Sequence, residues 1–219
     1  MQQRRSDYDV TNRVKTTDVA AVGAEVRRIF LELYRKADVA VLNRAFADFA
    51  TLYAGEHPDY NACDTGYHNV QHVLDVTLAM ARLLDGYRRA GNEPIDERLF
   101  CFGIILALYH DCGYLRHRKD TRHANGAEYT LTHVSRGARY LRGYLPRLGM
   151  GDLAAVAARV VHFTGYELPV DKTRVPQPDE MMKQRGRLVR LVRKAEMVPA
   201  RLDKSLEQLR HPERVGLLF

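Results

Sequence analysis

A chain of 219 residues, 46% hydrophobic and 28% charged, can bury a core without covalent staples, and its three cysteines are too few for a disulfide framework. Its net charge of +7 favours an anionic partner without naming one. Residues 1–17 carry no apolar segment of the secretory type, and the most apolar run, residues 99–109, is too short to span a bilayer. A cytoplasmic protein with reduced thiols and no membrane partner is the expectation.

Residues 1–17 read as a flexible, basic arm, and residues 18–219 as one domain. From residue 18 to about 54 the period is helical: Val22, Val26, Phe30 and Leu33 recur at three- and four-residue steps, as do Val41, Ala45 and Phe49. Residues 55–67 hold Gly, Pro, Asn and Asp and read as a loop. A helix over 70–84 has Val73, Val76, Met80 and Leu83 as its stripe. Residues 96–111 form the next helix. Its stretch from Leu99 to Tyr109 has no charge on any side, the mark of a helix enclosed by others. A polar loop over 116–125 brings Arg116, Arg118, Lys119 and Arg122 together, either to draw in phosphate or simply as solvated surface. Helices are expected over 126–145, with Ala127, Leu131, Val134, Ala138, Leu141 and Leu145 on one face, over 152–162, and over 179–198. No strand-like alternation, repeat or glycine-rich phosphate loop interrupts this. The expected architecture is all-α, a multi-helix bundle around a central buried helix.

The apolar helix ends in His110-Asp111. A carboxylate placed that deep needs a cation or strong hydrogen bonds. His68 and His72, four apart at a helix start, share one face and can point into one cavity. Taken alone, such a pair is more often a helix cap with satisfied histidines. His110 and Asp111 are neighbours and reach one ion only where the helix ends, for which Cys112-Gly113 supplies the stop. His133, His162 and Glu196, each unremarkable alone, complete an ordered series along the chain.

That series, His72, His110-Asp111, His133, His162, Glu196, resembles the HD superfamily of metal-dependent phosphohydrolases, with its His…His-Asp…Asp pattern on helices. The stretch Tyr67-His68-Asn69-Val70-Gln71-His72-Val73-Leu74-Asp75-Val76 is similar to the opening signature of cyclic-nucleotide phosphodiesterases, and Ala107-Leu108-Tyr109-His110-Asp111 to their second motif. The resemblance covers roughly residues 60–198. It implies an HD-like fold in which His72, His110 and Asp111 hold the principal metal and Glu196 stands where the family has its last aspartate. It implies that His133 and His162 serve a second ion and that His68 is the general acid. Asp111, with two carboxylate oxygens, is able to bridge two metals, the arrangement used to activate a shared water. The cofactor is then one or two divalent ions among Mn, Fe, Zn, Ni and Mg, and the substrate a small, nucleotide-like phosphoester. Glu196 in place of Asp, and Cys112-Gly113-Tyr114 after the His-Asp pair, depart from the pattern. Two other activities fit the same residues. One is two-iron oxygen chemistry on an HD-type fold, for which His133 and His162 are the cue. The other is a degenerate HD domain that binds nucleotide or nucleic acid uncut, for which Glu196 and the basic face Lys183–Lys194 are the cue.

Overall fold

The computed structural model describes residues 7–91 and 94–164. The expected loop over 165–178, the helix over 179–198 and Glu196 lie outside the described residues. Within them the fold is all-α, with six α-helices, short 3-10 turns and two isolated bridges in place of a sheet. The helices are α1 (Val19–Leu33), α2 (Ala40–Tyr53), α3 (Val70–Arg89), α4 (Glu97–Tyr109), α5 (His133–Tyr144) and α6 (Ala154–Val160).

Short polar side chains set the helix starts. Asp18 accepts from the Ala20 and Ala21 amides, Asn69 from His72, and Asp96 from Leu99, so orphan donors of three first turns are satisfied. α4 is the enclosed helix: every residue from Leu99 to Tyr109 is buried. It packs against α2 and α3, while α1 packs on α2 and α3, and α5 on α6. The core is continuous, from Val22, Val26 and Phe30 of α1 to Val134 and Leu141 of α5. None of the helices is long and apolar enough to cross a membrane among the described residues.

Three expectations are corrected. The arm over residues 1–17 is tied down in its described part: Asp9 accepts from the Arg13 and Val14 amides and pairs with Arg82 of α3 at 2.7 Å, and Thr16 is fully buried. α3 runs on to Arg89, and its buried face adds Leu74, Leu78, Ala81 and Leu84. The helix expected from residue 126 begins only at His133. Gly126–Tyr129 is a 3-10 turn, and Leu131 points to solvent, 86% exposed. The Thr130 and Thr132 hydroxyls donate to the carbonyls of Ala127 and Tyr129, the local competition by which threonine interrupts a helix.

Candidate metal centre

Three segments meet at Asp111. The first is the entry to α3. Thr65 Oγ1 donates to the His68 carbonyl at 2.6 Å, and Asn69 caps α3 through the His72 amide at 3.1 Å, so both imidazoles are set from one short motif. The second is the end of α4, where His110 is the last residue in helical conformation and Asp111 turns into the 3-10 turn Cys112–Tyr114. The third is the start of α5, which packs directly on that turn.

Gly113 makes this packing possible. A Cβ there would lie 1.8 Å from the His133 carbonyl oxygen and 2.8 Å from the Gly137 nitrogen. It stands just past the end of α4, as expected, and its role there is close approach, since its φ is not positive. Gly137 lets the His110 carbonyl come near, 3.2 Å from where its Cβ would be. Arg136 fastens the turn, donating to the carbonyls of Gly113 and Leu115 at 2.7 Å each, with its guanidinium over the Tyr129 ring.

Asp111 is 3% exposed, as is His110. One carboxylate oxygen, Oδ2, lies 2.6 Å from His68 Nδ1, 3.2 Å from His110 Nε2 and 3.4 Å from His72 Nε2. Burial alone would raise the Asp111 pKa, but His110, His68 and His72 outweigh it and hold the carboxyl well below its usual range. Burial pushes the His72 pKa below its ordinary 6.5, against the opposing hydrogen bond to Asp111. His72 is therefore a neutral imidazole at pH 7 with a lone pair to offer.

The tautomer of His110 follows from its other nitrogen. Nδ1 lies 2.7 Å from the Ala107 carbonyl oxygen, which only accepts, so Nδ1 carries the hydrogen. Nε2 then faces a carboxylate oxygen 3.2 Å away, as a second donor when the ring is protonated and as a lone pair when it is not. A buried carboxylate ringed by imidazoles is satisfied by their hydrogen bonds or by a cation that takes the place of the protons. Metal bonds of about 2.0–2.1 Å place neighbouring donors roughly 3.0–3.4 Å apart, which matches the distances from Asp111 Oδ2 to His110 Nε2 and to His72 Nε2. His68, His72 and Asp111 also offer ligand atoms all within 4.8 Å of one another. The 2.6 Å contact of His68 is nevertheless a hydrogen-bond distance, so His68 is better described as donating to Asp111.

The remaining histidines sit further out. His133 opens α5, stacks on Tyr114 at 4.2 Å and lies 6.1 Å, ring to ring, from His68. Its Nδ1 donates to the Thr130 carbonyl at 2.7 Å, the device used for His110. His162 is in the 3-10 turn Val161–Thr164 that packs on α5 and α6. Sequence reasoning missed Tyr114, which stacks on both His68 and His133. It also missed Arg136, and Tyr53, a fully enclosed phenol. The Tyr53 hydroxyl has no hydrogen-bond partner among the described residues, and burial together with Cys112, Asp111 and Cys63 drives its pKa well up. Of the basic loop, Arg116 pairs with Asp64 and Arg118 donates to the carbonyls of Gly55 and His57, so these two hold loops together.

Comparison of the chain with protein-family models, with curated proteins and with solved structures gave no match.

Proposed function

We propose that this chain is a metal-dependent phosphohydrolase of HD type, acting on a small, nucleotide-like phosphoester. The observation that carries the reading is the convergence of His68, His110 and His72 on one oxygen of the buried, ionised Asp111, at 2.6, 3.2 and 3.4 Å. His72, His110 and Asp111 would hold the ion. His133 and His162 are the candidates for a second ion, and Glu196 for a further carboxylate. Imidazole and carboxylate together suit Mn, Fe, Zn or Ni, and Mg where carboxylate dominates. A divalent ion bound there supplies Lewis acidity and makes water a nucleophile near neutral pH.

The chain's own groups do the rest. His68 is half-buried and fixed by Nδ1 on Asp111, which leaves Nε2 directed away from the carboxylate. In this reading His68 acts as an imidazolium and gives its Nε2 proton to the departing oxygen, keeping the Nδ1 hydrogen on Asp111. Tyr114, stacked on His68 at 4.3 Å, fixes the plane of the ring.

Elemental analysis of the purified protein, run beside hydrolysis of phosphomonoesters, phosphodiesters and nucleotides, tests the reading. The wild type should retain divalent metal and hydrolyse at least one class. His110→Ala and Asp111→Ala should lose both metal and activity. Full hydrolysis by a metal-free variant would overturn the proposal.

A further inference from the structure

Behind the turn that carries Asp111 lies a second concavity, and its lining is unlike the metal centre. α5 contributes Arg136, Arg139, Tyr140, Gly143 and Tyr144, and the chain just beyond it Arg147. These positions recur at three- and four-residue steps and form one stripe. The opposite wall is made by His57, Asp59, Tyr60 and His117, where the loop after α2 pairs with the loop after the 3-10 turn through the Tyr60–His117 bridge. The volume is about 540 Å³, within the usual range for small-molecule sites. Cys112 and Gly113 form part of the floor, whereas His68, His72, His110 and Asp111 do not line it.

The lining offers donors and ring faces. Arg139 and Arg147 are exposed, and among the described residues neither makes an ion pair or hydrogen bond; Arg147 lies 5.8 Å from the centre of the Tyr144 ring. Eight residues apart, they stand roughly 12 Å apart along the helical rise. His57 Nδ1 accepts the Asp59 amide and His117 Nδ1 accepts the Lys119 amide, both at 3.1 Å. Each neutral ring therefore keeps its hydrogen on Nε2, as a donor. Tyr60 lies edge-on to both imidazoles and to Tyr140. Among the described lining residues Asp59 is the one acid, against the guanidinium groups of Arg139 and Arg147 and that of Arg136, which also holds the Gly113 and Leu115 carbonyls.

Gly143 keeps the cleft open. A glycine inside a helix costs about 1 kcal/mol against alanine, and is kept for a close approach or an odd backbone. Neither applies: its φ is not positive, and nothing lies within 4 Å of where its Cβ would be. The space above it is the concavity.

We infer that this cleft is a separate binding site for a small polyphosphorylated aromatic molecule of the nucleoside di- or triphosphate class. Arg139, Arg147 and the two imidazole donors take the phosphates, and the half-buried rings of Tyr60 and Tyr140 take the base. Because the cleft shares no ligand residue with the metal centre, its occupancy is independent of metal.

Calorimetric titration of the full chain in EDTA, with ATP, inorganic pyrophosphate and adenosine as probes, tests this. ATP should bind at one site, at least about tenfold tighter than pyrophosphate or adenosine, because charge and ring are both needed. Arg139→Ala/Arg147→Ala should weaken ATP by at least about tenfold, the loss expected for charge-assisted hydrogen bonds. Gly143→Leu fills the space and should abolish binding while leaving the circular dichroism helical. Asp111→Asn should leave ATP binding within about twofold of wild type. Binding that is absent, is indifferent to Arg139/Arg147 and Gly143, or is lost in Asp111→Asn overturns the assignment. So does a preference for single-stranded DNA over ATP. Since metal content is read separately, failure here is distinct from failure of the hydrolase reading.

Discussion

His110 and His133 are oriented by the same local device. In each, Nδ1 donates to the carbonyl three residues earlier, Ala107 or Thr130, so that Nε2 is the nitrogen able to bind an ion once the ring is neutral. Such backbone anchoring fixes both the tautomer and the aim of a ligating imidazole. It also sets the acid limit of metal retention. A ligand histidine must be neutral, and burial keeps His72 neutral to below its ordinary 6.5, while Asp111 stays ionised to well below 3.8. Metal should be held across neutral pH and released as pH falls beneath about 6.5, when imidazoles take up protons. Equilibrium dialysis at stepped pH with elemental analysis measures this; retention unchanged at pH 4 contradicts it. The same sign governs the metal-free fold. His72 binds its proton less readily folded than unfolded, so stability is lost as pH drops from 6.5 through the lowered folded value. His72, His110 and Asp111 were legible in the sequence because position on a helix dictates direction. Tyr53 and Tyr114 were not, since their proximity to Asp111 arises from tertiary packing alone.

At the scale of elements, α4 was the easiest to read, because an uncharged run of that length has no stable place at a surface. It ends just before Cys112-Gly113, where the sequence predicts a stop. What periodicity could not show is that the missing Cβ of Gly113 also seats the turn on the α5 backbone. Gly113→Ala should therefore destabilise the protein by about 2–4 kcal/mol, since the atoms in the way are main chain and cannot swing aside. Denaturant unfolding measures the loss. Gly143→Ala serves as the comparison and should be neutral or slightly stabilising, because its Cβ meets nothing. A Gly113→Ala protein as stable as wild type would contradict the packing described. The start of α5 was misread for an identifiable reason. Apolar spacing through Ala127 and Leu131 continued the helical period, while the threonine hydroxyls that break it act through hydrogen bonds that periodicity does not register.

Across the whole molecule, the described N-terminal residues belong to the fold. Burial would raise the Asp9 pKa, but the Thr11 hydroxyl, the Val14 and Arg13 amides and the Arg82 guanidinium prevail and hold it far below 3.8. Asp9 thus contributes stability above its unfolded value near 3.8, and that contribution fades as pH falls toward the lowered folded value. Asp9→Asn should cost about 1–3 kcal/mol at pH 7, with the gap to wild type narrowing in acid. Thermal unfolding at several pH values reads both. A charged, polar start gave no periodic signal, so this anchoring was invisible in sequence; it depends on a contact between positions 73 residues apart. The chain also contains no tryptophan. Near-ultraviolet absorption therefore belongs chiefly to tyrosine, and Tyr114 lies stacked on two imidazoles of the site. Any change in charge on those rings perturbs its phenol, giving the protein a built-in optical gauge. Titrating cation into chelator-treated protein should produce a tyrosine difference spectrum that Tyr114→Phe erases.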